Sequence, residues 1–194
     1  FPVVSGMLDI AASDGDAIIA LEGFADRILV FKKKNVFVLN VSEGGGYVEA
    51  KLSDMGVRSV DQVTTTKYGI VWINSSGCYL YNEEQPVNLI TDKLSTSGRF
   101  ITSDMSWNVS QSNAPAIAYM PNQDKLLISI GLDGGFSNDA WLYDFTKKSW
   151  SHGSGVIGDW EQERSNFVVD AWGDAYFAQN NGGTLEVFKW SDDS

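Results

Sequence analysis

Residues 27–41 read RILVFKKKNVFVLNV and contain two apolar runs on either side of three consecutive lysines. Each run has the length and the β-branched and aromatic content of a strand, and the charged break between them indicates a turn. The stretch therefore predicts a β-hairpin with Lys32, Lys33 and Lys34 at its tip. The lysine charges are expected to stay in water, where they discourage pairing between sheet edges. Contact with an acidic neighbouring subunit is the alternative interpretation.

A unit of three strands separated by turns recurs four times along the chain, and its first strands start near residues 17, 60, 116 and 167. A period of roughly 40 to 50 residues with three or four strands per unit is typical of β-propeller blades. We therefore predict an all-β fold, a single β-propeller domain over residues 1–194 that is either complete or a segment of a larger propeller. The predicted blades span residues 15–55, 56–95, 112–155 and 164–194, with an inter-blade insertion at residues 96–111. An all-β sandwich also fits regularly spaced short strands.

Fourth, outer strands are predicted at residues 47–52, 86–91 and 149–154, whereas the fourth unit ends without one. The N-terminal segment PVVSGML, within residues 1–10, is predicted to supply that strand and close the ring, because closure removes exposed sheet edges. A short helix is expected within residues 100–111. Trp141, Tyr143 and Trp150 are expected to alternate between the two faces of their blade.

The composition excludes several classes of function. The 194 residues carry a formal net charge of −11, which disfavours general nucleic-acid binding. One cysteine, Cys78, permits no intrachain disulfide, and no apolar run approaches the roughly 20 residues of a membrane span. The protein is therefore predicted to be acidic, with no specific nucleic-acid partner and no membrane partner.

The sequence contains little that indicates a catalytic or metal-binding site. His152 is the only histidine and is expected to lie exposed in a loop, while Cys78 is expected to be a small buried apolar residue. Acidic clusters such as Asp14 and Asp16 match no calcium-binding spacing and are better explained by turn formation. We predict no catalytic residues, no metal site, no cofactor and no enzymatic activity.

The chain has seven tryptophans, most of them at predicted strand positions where they are expected in the core. Trp107 and Trp160 instead lie in the longer segments between blades. Exposed aromatic residues there would stack on sugars or anchor a neighbouring subunit. Together with Lys32, Lys33 and Lys34, these two tryptophans are the predicted partner contacts.

Several motifs resemble one family of proteins. They are ILVFKKKNVFVLNV at residues 28–41, GVRSVDQVTTTKYGIVWINSSGCYLYN at 56–82, VNLIT at 87–91, AIAYMPNQDKLLISIG at 116–131 and DAWLYDFTKKSWS at 139–151. This pattern resembles virion structural proteins of tailed bacteriophages, in particular the β-propeller proteins of the tail nozzles of short-tailed phages. The resemblance covers roughly residues 15–152, although proteins of that family are usually several times longer and carry additional domains.

The resemblance implies a non-enzymatic structural component of the phage tail that assembles with other virion subunits as a homo-oligomer. An acidic surface would suit a channel wall that must not hold DNA, because like charges repel phosphate. The alternative function is a carbohydrate-binding or glycan-hydrolysing β-propeller that recognises a host glycan. A plain interaction scaffold of bacterial origin is a third interpretation.

Overall fold

The protein consists of four antiparallel sheets built from strands that are consecutive in sequence. This computed structural model describes residues 9–10, 12–42, 46–90, 115–129, 140–153, 157, 165–181 and 183–191. Each strand pairs with the next one along the chain, so every sheet is a simple meander. The expectation of an all-β fold is confirmed.

Blades one and two each contain four strands. Blade one is formed by β1 (Ile18–Phe24), β2 (Arg27–Lys32), β3 (Asn35–Asn40) and β4 (Tyr47–Ser53). Blade two is formed by β5 (Val63–Thr66), β6 (Gly69–Asn74), β7 (Gly77–Tyr81) and β8 (Val87–Asn88).

Blade three also contains four strands, whereas three are described in blade four. Blade three is formed by β9 (Ala116–Met120), β10 (Lys125–Ser129), β11 (Ala140–Asp144) and β12 (Ser149–Gly153). Blade four is formed by β13 (Val168–Val169), β14 (Ala175–Asn181) and β15 (Thr184–Lys189).

Successive blades pack face to face, and their first strands lie side by side. β1 contacts β5, β5 contacts β9, and β9 contacts β13. A separate apolar cluster fills each of the three interfaces, around Trp72 between blades one and two, Trp141 between two and three, and Phe177 between three and four. This arrangement of four-stranded meanders packed in series is that of β-propeller blades, and the predicted fold class is confirmed.

Some predicted strands are shorter in the structure because turn-forming residues interrupt them. Val60–Gln62 was expected at the start of a strand but forms a 3-10 turn, capped by Ser59 and by the Gln62 side chain. The outer strand of blade two is only Val87–Asn88, and the first strand of blade four is only Val168–Val169.

The expectation for the aromatic residues of blade three is wrong. Trp141 and Tyr143 are two residues apart on β11, and Tyr143 lies directly opposite Trp150 on β12. All three side chains therefore share one face, where they are buried against blade two. The period of two along a strand and the antiparallel register together require this placement.

The meander gives every blade two different ends. The turns from the second to the third strand and the connections between blades lie at one end, which we call the loop end. The turns from the first to the second strand lie at the opposite end, which we call the hairpin end. The predicted helix within 100–111 and the N-terminal segment 2–8 lie outside the described residues.

Candidate functional site

The three lysines at the tip of the first hairpin do not all face solvent as expected. Lys33 and Lys34 are exposed, but Lys32 has only 2% of its surface exposed. The Lys32 ammonium forms an ion pair with Asp14 at 2.8 Å and lies 5.6 Å from the centre of the Phe37 ring. Lys32 is therefore a structural residue, because its charge is held inside the protein by a carboxylate and an aromatic face.

The acidic residues that precede β1 hold the lysine turn in place. Asp16 accepts hydrogen bonds from the backbone N–H groups of Lys33 and Lys34, at 3.2 and 3.0 Å. The Lys32 side chain and the Asp16 backbone N–H lower the pKa of Asp14 below its ordinary value. These two aspartates were assigned to turn formation, and the structure shows that they close a specific contact between the chain entering blade one and its hairpin.

The other two predicted contact residues, Trp107 and Trp160, lie outside the described residues. In sequence, Trp107 falls between β8 and β9, and Trp160 falls between β12 and β13. Both therefore belong to connections between blades, and the described residues place the start and the finish of such connections at the loop end. Lys33 and Lys34, in the turn from β2 to β3, lie at that same end. The topology thus places the two exposed lysines at the loop end, which is also where the connections that contain Trp107 and Trp160 begin.

A cluster around Asp124 joins blades two and three at the hairpin end. The Asp124 carboxylate accepts hydrogen bonds from the hydroxyl groups of Tyr68, at 2.5 Å, and Tyr119, at 2.9 Å. The Lys67 ammonium lies 3.1 Å from the same carboxylate. Sequence reasoning missed this cluster, because Asp124 and Tyr68 are 56 residues apart and no local pattern links them.

The electrostatics of the Asp124 cluster favour a structural role over a catalytic one. Burial acts to raise the pKa of Asp124, but the hydrogen bonds from Tyr68, Tyr119 and Lys67 outweigh it and hold the pKa below its ordinary value. Burial and the Asp124 carboxylate raise the pKa of Tyr119 to about 12. A tyrosine with so high a pKa is a poor nucleophile near neutral pH, since almost none of it is ionised.

Similar polar contacts link the first hairpin of each blade to the next blade. Thr65 of blade two donates to Glu22 of blade one at 3.0 Å, and Asn122 of blade three donates to Asp174 of blade four at 3.3 Å. With the Asp124 cluster between them, these contacts form a series that crosses all three interfaces. They add polar contacts to the apolar packing between neighbouring blades.

The single histidine and the single cysteine occupy different environments. His152 was expected in a loop but lies on β12. Its exposed ring packs against that of Trp141, with 4.3 Å between the ring centres. Cys78 is fully buried between blades two and three, as expected, and burial raises the pKa of its thiol. The two side chains lie on different blades.

The tryptophans divide into buried and exposed classes. Trp72, Trp141, Trp150 and Trp190 are buried as expected. Trp172 is 80% exposed, in the turn between β13 and β14, and its expected place in the core is wrong. Its backbone N–H donates to the Asp170 side chain, so the turn is held by an aspartate while the indole ring projects into solvent.

Within the described residues, His, Cys, Asp and Glu side chains form no group of three able to hold a metal ion. In the same part of the chain, no helix is long and apolar enough to span a membrane. An open groove of about 250 Å³ lies between blades one and two, lined by Tyr81, Glu49 and Glu83 among others. Glu49 in that groove is paired with Arg27 at 2.5 Å.

The most unusual surface is the face of blade four that points away from blade three. Val168 lies opposite Tyr176, and Val187 lies opposite Ala178, so these residues share one face with Leu185. Val168 is 64% exposed, Leu185 74% and Val187 71%. We call these five residues the open face of blade four.

The corresponding face of blade one is largely covered. Val30, Phe37 and Leu39 on that face are buried in a cluster that includes Ile10 from the chain entering the blade. Two residues of the first strand remain outside this cover, since Ile18 is 52% and Leu21 60% exposed. Both ends of the series of blades therefore leave apolar side chains accessible, much more so at blade four.

Comparison with known proteins adds little to these observations. No family model and no curated protein matches the chain. Among solved structures, the chain is similar to the N-terminal domain of Nup159, with 11% identity and a TM-score of 0.38. The match covers 90% of this chain and 60% of that chain.

Proposed function

We propose that this protein is a non-enzymatic structural component of a phage virion, located in the tail or its nozzle, which acts through assembly with other virion subunits. The observation that carries the proposal is the open face of blade four, where three apolar side chains are at least 64% exposed. Exposed apolar surfaces of this kind are typical of sites that bind other proteins. The resemblance of the blade motifs to tail nozzle proteins supplies the type of particle.

The rest of the molecule suits a scaffold. Polar contacts and an apolar cluster join each pair of neighbouring blades, as expected for a scaffold that presents surfaces on different blades. The net charge of −11 would let the protein line a channel without holding DNA. An acidic surface found to point away from the DNA path in a particle would remove that part of the proposal.

The test is to locate the protein in phage particles produced from a genome that encodes it. We expect the chain in purified particles by mass spectrometry, and immunogold label at the tail in electron micrographs. Particles lacking a known tail protein provide the control, because label that persists without a tail would be adventitious. Absence of the chain from intact, infectious particles would overturn the proposed function.

A second candidate function is recognition of a host glycan, and one observation favours it. The Trp172 ring is 80% exposed in a turn held by Asp170, and exposed indole rings stack on sugars. A glycan array probed with the protein tests this idea. Binding that is lost in Trp172→Ala, Trp107→Ala or Trp160→Ala, and kept in Val60→Ala, would support the glycan-binding function.

A further inference from the structure

The groove between blades one and two combines an apolar floor with a charged rim. Val38, Ala50 and Leu52 form the floor, where they continue the apolar cluster that joins the two blades. The Tyr81 side chain, from the third strand of blade two, lines the groove beside them. We call the site formed by these four residues and by Glu49, Glu83 and Glu84 the acidic groove.

A β-bulge places Glu49 in the acidic groove. Glu49 has no opposite residue in β3, because the register between β3 and β4 shifts between Val38 and Leu39. An extra residue of this kind re-aims the side chains of its strand. Glu49 therefore lines the groove together with its neighbour Ala50, and its carboxylate pairs there with the Arg27 guanidinium at 2.5 Å.

The other two carboxylates of the rim are available to a ligand. Glu83 and Glu84 lie in the turn between β7 and β8, and both are exposed. Among the described residues, no lysine or arginine pairs with either of them, whereas Arg27 offsets Glu49. Burial raises the pKa of Tyr81, and the charges of Glu49 and Glu83 act in the same direction. The groove therefore carries negative charge close to its apolar floor.

The size and chemistry of the acidic groove limit what can occupy it. Its volume is about 250 Å³, below the roughly 300–1,000 Å³ of pockets for drug-sized ligands, so it suits a single side chain. An apolar floor beside an acidic rim matches an aliphatic chain that ends in a positive charge. Within the described residues, the carboxylates form no group of three able to hold a metal ion, which disfavours a compact divalent cation.

We propose that the acidic groove binds a lysine side chain presented by a partner protein. The aliphatic stem of the lysine lies along the apolar floor, and its ammonium pairs with Glu83 or Glu84. Lysine fits better than arginine, because Arg27 already gives Glu49 a planar guanidinium and the remaining carboxylates suit a compact charge. The inference goes beyond the proposed function, since such a groove can receive a protein partner of any origin.

The first experiment titrates capped tripeptides into the isotope-labelled protein at constant ionic strength, with the backbone amides followed by NMR. The central residue of the peptide is lysine or norleucine, which has the same stem without the ammonium, and both neighbours are glycine. We expect saturable shifts at Ala50, Leu52 and Gln85 with the lysine peptide, and about tenfold weaker binding of the norleucine peptide. Equally tight binding of the norleucine peptide or of a matching arginine peptide would overturn the proposal, as would the absence of saturable shifts.

Substitutions at the rim test where the ammonium binds. Glu83→Gln/Glu84→Gln should weaken binding of the lysine peptide about tenfold, because charged acceptors form the stronger hydrogen bonds. Asp54→Asn/Glu186→Gln is the matched control, since it also removes two carboxylates but lies outside the groove. An equal loss in both double variants would attribute binding to net charge and would overturn the site.

Carbodiimide coupling provides a second readout on the unmodified chain. This reagent joins a carboxylate and an amine in an amide bond with loss of water, and mass spectrometry identifies the carboxylate that reacted. We expect the lysine peptide to couple to Glu83 or Glu84 several times more than to the exposed Asp54. Equal coupling at all three would contradict a specific site. These results are separate from the test of the proposed function, which locates the protein in phage particles.

Discussion

At the scale of single residues, the lysine turn shows that neighbouring side chains of one type can have opposite roles. Lys32 is buried and paired with Asp14, whereas the side chains of Lys33 and Lys34 lie in solvent and their backbone N–H groups donate to Asp16. The buried ammonium costs desolvation energy that its carboxylate and aromatic neighbours must offset. Lys32 is consequently unsuited to bind a partner directly.

This difference predicts unequal effects of alanine substitution in the turn. Lys32→Ala should lower the melting temperature by several degrees, because Asp14 loses its charge partner and the Phe37 ring loses its cover. Lys33→Ala is the matched control and should leave the melting temperature almost unchanged, as expected for an exposed side chain. Thermal unfolding followed by circular dichroism provides the measurement, and equal melting temperatures for the two variants would contradict a structural role for Lys32.

Asp124 is the second residue on which the fold depends. Its backbone has a positive φ of 57°, a conformation that aspartate and asparagine tolerate better than most residues. Its carboxylate binds two tyrosine hydroxyl groups and Lys67, so one side chain joins the hairpin ends of two blades. Charged acceptors form stronger hydrogen bonds than neutral ones, which makes the charge itself important.

Asp124→Asn should therefore reduce the free energy of unfolding by about 1–3 kcal/mol at neutral pH. The native pKa of Asp124 is lowered, so its contribution is present above the ordinary value of 3.8 and is lost as the pH falls through the native pKa. The stability difference between wild type and variant should shrink as the pH falls below about 3.8. Urea unfolding at a series of pH values tests this expectation.

Asp54→Asn is the matched control for that series. Asp54 also has a positive φ, 61°, but its side chain is exposed. Its substitution should change stability by less than about 0.5 kcal/mol at any of these pH values. If Asp54→Asn lowers the free energy of unfolding as much as Asp124→Asn does, the effect comes from the change in net charge and not from the Asp124 cluster.

At the scale of strands and turns, glycines mark where two backbones approach closely. Gly69 begins β6 with a φ of 138°, and a Cβ built there would lie 2.0 Å from the backbone oxygen of Tyr81 on β7. Gly23 on β1 has open space around its Cα. A side chain would therefore clash with the neighbouring strand at Gly69 but not at Gly23, although both glycines lie on strands.

Gly69→Ala should destabilise the protein by about 2–4 kcal/mol, because the new methyl group meets a backbone oxygen and the backbone conformation is strained. Gly23→Ala should leave stability within about 1 kcal/mol of wild type, since it meets no obstacle and reduces the freedom of the unfolded chain. Urea denaturation of both variants compares them. Similar midpoints would mean that the close approach of β6 and β7 relaxes at little cost.

At the scale of the whole molecule, stability comes from blades that cover one another in series. Each blade alone would expose two apolar faces, and the three interfaces bury residues from both neighbours. Among the described residues, blade four has three strands, and the apolar side chains of its open face are exposed. Assembly through that face would complete its burial.

The N-terminal segment is predicted to supply the fourth strand of blade four, and hydrogen exchange can test this. If residues 2–8 pair with β15, the amides of Thr184–Lys189 should exchange slowly in the full chain. They should exchange faster in a chain that lacks residues 1–8, while the amides of β10 remain protected in both. Unchanged exchange at β15 would contradict the pairing.

Local patterns determined the strands and their grouping into four blades. Alternation of apolar and polar residues has a period of two that is readable within a few positions, and turn residues mark where each strand ends. The burial of Cys78 followed from the same reasoning, since it lies in the middle of an apolar strand. The resemblance to phage tail proteins and the function it implies remain predictions.

Only the tertiary structure decided which faces and charges are buried. Lys32 is buried because Asp14, eighteen residues earlier, folds back onto it. Trp172 is exposed because it lies in the turn that follows β13, three residues beyond the end of that strand. The open face of blade four has the same alternating pattern as covered faces in other blades, so the pattern alone could not reveal its exposure. Burial depends on which distant segments approach, and a sequence records that information in no local pattern.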